Sequence, residues 1–464
     1  MHEHDRRQRL RSWPELWFAN PPLKPPLKHV VLDMHLPEKQ QTLTLGPDLT
    51  ASLSDELLLR VLSALPVSAS PVASLVCKRW LRLLGRLRRC LTLLDWASLR
   101  RISSRFPELS DLDLLPASFF PSSPSPLILT RDPVSIPLDP YLDPPIGDSR
   151  FISSAALDSG LETLAQGCPN LRRLSLVAPP VSEAGLMSLS DRCTILQELE
   201  LHRCTDVALR PISAFKNLQI LKLVGSIEGL YRGPGVTDVG LTILAHGCKR
   251  LVKLELARCE GSYDGISAIG RCCFMLEELT LTDHQMDAGW LAGLSFCGNL
   301  KTLRLQGCRN IDADPGPAEH LGTCPTIERL QFQRCQLRDK RSLRALYMVC
   351  EAVREIMFQN CWGLDNDMFG IASICRRVKF LCLEGCSLLT TEGLESVVLS
   401  WNDLQSLAVV SCNNIKGEEV SPALSSLFSV LKELKWRPDA KSVLATALAG
   451  TGMGKKGGRF FRRI

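Results

Sequence analysis

The sequence predicts an α/β solenoid, with parallel strands on its inside and helices on its outside, preceded by a small all-α domain. Two observations predict the solenoid. The pattern Leu-x-x-Leu-x-Leu recurs through residues 151–437, and segments with helical spacing of apolar residues separate the copies. The third observation is that the apolar residues of 51–100 are spaced for short helices.

The copies begin about 26 residues apart on average, a period typical of leucine-rich repeats. Each copy supplies one short strand whose alternate side chains point inward, and stacked repeats bury those side chains in a continuous core. The first residues of the copies are Leu171, Leu196, Leu218, Leu251, Leu276, Leu300, Ile327, Val353, Val378, Leu404 and Leu431, with an outlying copy at Leu109.

Most of the 19 cysteines fall into two columns of this repeat. One column lies three residues before a copy and the other lies at the far end of its strand. No Cys-x-x-Cys pair occurs and the eight histidines are scattered, so we expect free core thiols and no metal site. The columns are Cys168, Cys193, Cys248, Cys273, Cys297, Cys324, Cys350 and Cys375, then Cys204, Cys259, Cys308, Cys335, Cys361, Cys386 and Cys412. They resemble the cysteine-containing leucine-rich repeats, which are similar to the ribonuclease-inhibitor-like horseshoe.

Residues 51–100 are too short to build a large core, so we expect their apolar surface to dock on the repeats, on another protein, or on both. They resemble an F-box, with Asp55-Glu56-Leu57-Leu58 and Val76-Cys77-Lys78-Arg79-Trp80 carrying the match, although Ser54 stands where the family usually has proline. The resemblance implies binding to the Skp1 adaptor of a cullin-based ubiquitin ligase. By that resemblance, the residues that contact the adaptor or their own helix partners are Leu53, Leu57, Val61, Leu62, Val76, Cys77 and Trp80. The alternative is a pair of helices that merely caps the first repeat.

The chain divides into an N-terminal extension (1–50), the F-box (51–100), an outlying repeat with a Pro-rich insertion (101–150), the solenoid (151–437) and a Gly-rich basic tail (438–464). This order resembles a group of plant F-box/leucine-rich-repeat proteins. Residues 225–235 lengthen one repeat and should form a loop on a rim. The tail favours either a solvated end or a contact with a polyanion or nuclear-import receptor.

The residues between the strand leucines should line the concave face of the solenoid. Their charges are mixed, which suits a protein surface better than a phosphate trap. The candidate substrate-binding residues are His202, Lys222, Lys253, Arg304, Arg329, Gln331, Met357 and Phe380. Arg203, Arg258 and Arg334 share one repeat position and should form a column on a rim, as ordinary solvated side chains or as a site for an anionic partner.

No nucleophile–base pair, phosphate loop or metal cluster is readable, so we expect no catalysis, cofactor or metal. The net charge of +6 comes mostly from the tail, so the charge of the chain gives no support for nucleic-acid binding. No apolar run is long enough to predict a membrane span. Without a secretory signal pattern, we expect the nucleus or cytoplasm rather than secretion.

The F-box resemblance implies a non-catalytic substrate-recognition subunit of a Skp1-cullin-F-box ubiquitin ligase, marking a protein target for proteasomal degradation. The alternatives are a ligase-independent scaffold and a hormone or small-molecule receptor.

Overall fold

The computed structural model describes residues 49–66, 69–119, 152–179, 182–225 and 235–439. Nearly all of the N-terminal extension, the 225–235 loop and the basic tail lies outside the described residues, as does most of the Pro-rich insertion. The described chain forms two compact units, one ending at Leu87 and the other beginning at Arg88. Each unit is treated separately below.

The first unit is helical. After a 3-10 turn at Leu49–Ser52 come α1 (Asp55–Ser63), α2 (Ser70–Ala73) and α3 (Lys78–Leu87). The Ser54 side chain accepts a hydrogen bond from the backbone N–H of Leu57 and so caps α1. A small core of Leu58, Leu62, Ala73, Leu83 and Leu84 holds the helices together.

The second unit is a repeat array built on a parallel sheet of 13 strands whose order follows the sequence. Its strands are β1 (Cys90–Thr92), β2 (Asp111–Asp113), β3 (Arg173–Val177), β4 (Glu198–His202), β5 (Ile220–Val224), β6 (Lys253–Ala257), β7 (Glu278–Thr282), β8 (Thr302–Gln306), β9 (Arg329–Gln333), β10 (Glu355–Gln359), β11 (Phe380–Glu384), β12 (Ser406–Val410) and β13 (Glu433–Arg437). The α/β solenoid predicted from the repeats is confirmed.

The helices of this unit lie between the strands in sequence. They are α4 (Ile102–Arg105), α5 (Leu115–Phe119), α6 (Ser154–Gly167), α7 (Ala184–Arg192), α8 (Asp206–Ile212), α9 (Asp238–Gly247), α10 (Tyr263–Cys272), α11 (Trp290–Gly293), α12 (Lys340–Val349), α13 (Asn366–Gly370), α14 (Thr391–Val398) and α15 (Pro422–Val430). In several repeats, 3-10 turns stand in for helix, such as Ala318–His320. Thr237 and Thr390 cap α9 and α14 with their side chains.

Register places the repeat leucines in columns. Leu221 lies beside Leu254 and Leu223 beside Leu256, and the same pairing continues along the sheet. The second and fourth residues of the inner strands are buried in one core that they share with helix residues such as Leu241 and Leu244. The first, third and fifth residues lie on the other side of the sheet, which we call the open face.

Strand β1 lies within the range expected for the F-box, ahead of the first recognised repeat. Leu91 and Leu93 follow the strand pattern, but Arg88 occupies the position of its first leucine. Parallel pairing of Leu91 with Leu112 nevertheless adds the strand to the sheet. The repeat pattern alone misses it because one of its three defining leucines is absent.

Both cysteine columns lie in the core, and all 19 cysteines are free. In the column that precedes the strands, a thiol reaches back to the carbonyl of the preceding repeat, as from Cys193 to Cys168 at 3.6 Å and from Cys324 to Cys297 at 3.4 Å. Burial raises the pKa of Cys248 and Cys273 to about 12. Such thiols remain protonated at neutral pH and behave as small apolar residues.

Candidate functional site

The helical unit divides its apolar residues between two faces. Along α1, Leu58 and Leu62 are four residues apart and point into the small core, whereas Leu57 and Val61, also four apart, face solvent. Leu57 is 50% exposed and Leu62 only 2%. The two pairs are offset by one residue along α1. One pair therefore holds the unit together, and the other is exposed on its surface.

Arg79 fixes the start of α1 against α3. Its guanidinium donates to a carboxylate oxygen of Asp55 at 2.8 Å and to the carbonyl of Thr50 at 2.9 Å. The hydrogen bond from Arg79 is the main cause that lowers the pKa of Asp55, and Arg82 adds a second contact at 3.2 Å. The exposed residues of α1 and the turn before α3 are thereby held in a defined relation.

Helix α2 and the turn before α3 also carry exposed apolar side chains. Leu75 is 85% exposed, and Val72 and Val76 are also largely exposed. With Leu57 and Val61 they form a set of five large aliphatic side chains with little cover, which we call the aliphatic surface. An uncovered apolar surface on so small a unit is typical of a protein interaction site.

Four of the predicted adaptor-contact residues, namely Leu57, Val61, Val76 and Cys77, are exposed. Leu53 and Trp80 are half-buried against the small core. Leu62 lies inside that core, so it acts in this chain as a helix partner, one of the two roles foreseen for it, and is not available to an adaptor. Val72 and Leu75 are absent from the predicted set, although Val72 lies three residues before Leu75 and four before Val76, a helical spacing that could have found them.

On the open face, the charged residues of β4–β6 are paired with one another. Lys222 Nζ lies 3.5 Å from Glu200 and 3.2 Å from Glu255. Burial acts to raise the pKa of Glu200, but the hydrogen bond with His202 and the charge of Lys222 outweigh it and lower that pKa to about 2. Burial acts to lower the pKa of Lys222, and the two carboxylates outweigh that effect and raise it.

A second ion-paired group follows on β6–β10. Glu278 accepts contacts from Lys253 at 3.0 Å and Arg304 at 2.8 Å, and Arg304 also donates to Gln331 at 2.7 Å. Farther along, Arg329 pairs with the carboxylate of Glu355 at 3.1 Å. The predicted cationic residues of the concave face are thus neutralised locally, which favours a partner of mixed charge.

Three further predicted residues differ in exposure. His202 is only 3% exposed, and its Nε2 lies 3.0 Å from the Glu200 carboxylate, so it is a buried partner of Glu200 rather than a contact for a ligand. Met357 and Phe380 are half-buried on β10 and β11, beside Cys382. At the middle position of the strands, the open face is therefore apolar on β10–β12, at Met357, Cys382 and Ala408, and charge returns on β13 at Lys435.

Within the described residues, no group of three or more His, Cys, Asp or Glu side chains has the arrangement of a metal site. Nor is any helix there long and apolar enough to cross a membrane. Two cavities of about 320 and 330 Å³ open on the turns that follow β7–β9, away from the predicted substrate residues.

The chain is similar to named proteins. It is 28% identical over 221 residues to F-box/LRR-repeat protein 12 of Homo sapiens, a match that covers 42% of this chain and 67% of that protein. It is 23% identical over 439 residues to F-box protein MAX2 homolog A of Petunia hybrida, covering 82% of this chain and 60% of that protein. The chain thus spans less than two thirds of the petunia protein's length. No family model matches the sequence.

Solved structures give weaker likenesses. A chain of the Rad7 and Elc1 complex in yeast is 13% identical with a TM-score of 0.33, covering 83% of this chain and 89% of that chain. A chain of the TLR13–ssRNA13 complex is 13% identical with a TM-score of 0.44, covering 79% and 53%. TM-scores this low carry no weight beside the sheet described above. That repeat sheet has the architecture of a leucine-rich-repeat solenoid, and both named relatives to which the chain is similar are F-box proteins.

Proposed function

We propose that the protein is a non-catalytic substrate-recognition subunit of a Skp1-cullin-F-box ubiquitin ligase, acting in the nucleus or cytoplasm. The helical unit binds a Skp1-type adaptor, and the open face of the solenoid receives a protein target. The observation that carries this proposal is the aliphatic surface of Leu57, Val61, Val72, Leu75 and Val76. Burying one such side chain stabilises a complex by about 1.5–3 kcal/mol, so this surface can anchor a protein partner.

In that role the chain contributes geometry. It holds a target near the ubiquitin-conjugating enzyme and so raises the effective concentration of the target's lysines. The ion-paired residues of β4–β10 favour a protein surface of mixed charge over a single highly charged ligand. The similarity to two named F-box proteins supports the assignment of the class.

The test is co-purification of the full chain with a Skp1-type adaptor. Leu57→Asp places a charge on the aliphatic surface and is expected to weaken the complex about tenfold or more, because a desolvated carboxylate replaces an apolar anchor. The matched control is Leu388→Asp, since Leu388 in the solenoid is equally exposed at 50%. Circular dichroism verifies that both variants remain folded.

If the folded wild-type chain fails to bind the adaptor, the ligase assignment is wrong and the scaffold alternative gains support. If Leu57→Asp and Leu388→Asp weaken the complex equally, the aliphatic surface is not the contact. Trp80→Ala is a less informative variant, because Trp80 packs against the small core and its loss would also destabilise the unit.

A further inference from the structure

The turns that follow β8, β9 and β10 carry a cluster of cations and one exposed aromatic side chain. Arg309 follows β8, Arg334 and Arg338 follow β9, and Trp362, 63% exposed, follows β10. We call these four residues the arginine surface. Only Arg334 belongs to the arginine column predicted from the sequence. Because adjacent strands lie about 4.8 Å apart, the arginine surface extends over roughly 10 Å.

Backbone contacts fix the neighbouring turns to one another. The N–H of Leu337 donates to the carbonyl of Trp362 at 2.7 Å, and the N–H of Trp362 donates to the carbonyl of Cys335 at 2.9 Å. Gly363 has a φ of +78°, and a Cβ there would lie 2.5 Å from Cγ of Arg338. The stem of Arg338 therefore lies against the bare backbone beside Trp362, which keeps the cation and the aromatic ring on one surface.

The three guanidinium groups have no carboxylate partner within the described chain, unlike other arginines near them. Arg258 lies 3.7 Å from Asp283, Arg304 lies 2.8 Å from Glu278, and Arg341 lies 3.3 Å from Asp314. No such contact is made by Arg309, Arg334 or Arg338. The arginine surface thus keeps the positive charge that is neutralised on the adjacent turns and the open face.

Arg309 and Arg338 line the same cavity of about 320 Å³, together with Asn310, Gln336 and Asp339. The Asp339 carboxylate is already engaged at the start of α12, where it accepts the N–H groups of Arg341 at 3.0 Å and Ser342 at 3.1 Å. The cavity therefore presents two guanidinium groups and uncharged amides, with its one carboxylate turned to helix capping. Guanidinium forks of this kind match carboxylate oxygens well.

Arg334 directly follows β9, and its φ of +54° lies in the left-handed region. Other repeats place a non-glycine residue in the same conformation directly after the strand, as at Arg258, Asp283 and Asn360. The conformation therefore belongs to the repeat, and it places Arg334 on the same turn as Arg338.

We propose that the arginine surface binds an acidic, extended peptide segment of a protein partner. Its carboxylates would meet Arg309, Arg334 and Arg338, and an apolar residue beside them would pack on Trp362. A single small anion could engage only part of a surface that extends over three turns. This inference rests on the proposed function in one respect, since it names a second contact for the protein target. Binding of the peptide itself does not require the adaptor.

The probe is a fluorescein-labelled peptide, Glu-Glu-Glu-Phe-Glu-Glu-Glu, titrated with the full chain by fluorescence anisotropy. We expect saturable binding that weakens when salt is raised from about 0.05 to 0.5 M, because the Debye length shortens. A peptide with Gln in place of every Glu should bind at least about tenfold more weakly, equivalent to the loss of one strong charged contact. The double variant Arg309→Glu with Arg338→Glu should bind the acidic peptide more weakly than wild type by a similar factor.

The matched control is Arg376→Glu with Arg377→Glu, an equal change of net charge at exposed arginines on the turn before β11. Equal losses in the two double variants would mean nonspecific attraction and overturn the proposal. So would tighter binding of a single-stranded RNA of similar charge, or the absence of peptide binding at low salt. Trp362→Ala should weaken the binding of the Phe-containing peptide while leaving the affinity for an all-Glu peptide unchanged. The peptide experiments contain no adaptor, so their results would stand even if the chain fails to bind the adaptor. The two proposals can therefore fail independently.

Discussion

His284 occupies the strand-end position that cysteine holds in the flanking repeats, at Cys259 and Cys308. Its ring packs edge-on against Trp290 with centroids 5.5 Å apart, and its Nδ1 accepts the N–H of Met286 at 3.4 Å. Burial lowers the pKa of His284 from 6.5 to about 4. A protonatable side chain has thus replaced a thiol within an otherwise apolar column, and at neutral pH it is uncharged.

We expect His284 to make the solenoid sensitive to mild acid. Because its pKa is lower in the folded chain, only the unfolded chain takes up the proton between pH 6.5 and about 4, and stability falls across that window. Relative to pH 7.5, the loss at pH 5 from this residue is about 2 kcal/mol. His284→Cys should remove that increment, measured as the difference in urea-unfolding free energy between the two pH values. Equal pH dependence in wild type and variant would contradict this assignment.

At the scale of the element, the cysteine columns connect successive repeats. Cys375 lies with its sulfur 3.7 Å from the carbonyl of Cys350, whereas the Cys350 thiol has no acceptor among the described residues. Both residues are fully buried. Two cysteines of one column therefore differ in whether a hydrogen-bond acceptor lies nearby. Replacing each with serine should reveal that difference in the free energy of unfolding.

Cys350→Ser should lower the free energy of unfolding by about 1–3 kcal/mol more than Cys350→Ala, because it buries a hydroxyl without a partner. At Cys375 the serine–alanine difference should be smaller, since a hydroxyl can donate to the nearby carbonyl. Chemical denaturation of the four variants measures both differences. A larger serine penalty at Cys375 than at Cys350 would show that the two thiol environments are not as described.

For the whole molecule, the thiols report which parts of the chain are packed. Cys77 and Cys90 are exposed, while the cysteines of both columns lie in the core. Burial and a hydrogen bond to Asp111 raise the pKa of Cys90 to about 11, so little of it is thiolate at neutral pH. Exposure and thiolate content together set the rate of alkylation.

Iodoacetamide labelling followed by peptide mass spectrometry should therefore modify Cys77 first, Cys90 more slowly, and the column cysteines only when the repeats unfold. Because each repeat is stabilised by its neighbours, the column thiols should become reactive over one range of denaturant. Fast labelling of Cys350 or Cys375 in native buffer would show that the described core is not closed.

The sequence by itself determined the strand positions from β2 to β13 and the burial of the cysteine columns. These features follow from local periodicity, because a strand alternates its side chains and a helix repeats its faces every three to four residues. Only the tertiary structure recruited β1, where Arg88 replaces the pattern's leucine. It also neutralised Arg258 with Asp283 while leaving Arg334 without a carboxylate among the described residues. The ion-pair partners of Lys222, Arg258 and Arg304 lie about one repeat away in sequence, so the register of neighbouring strands decides them and the local pattern does not.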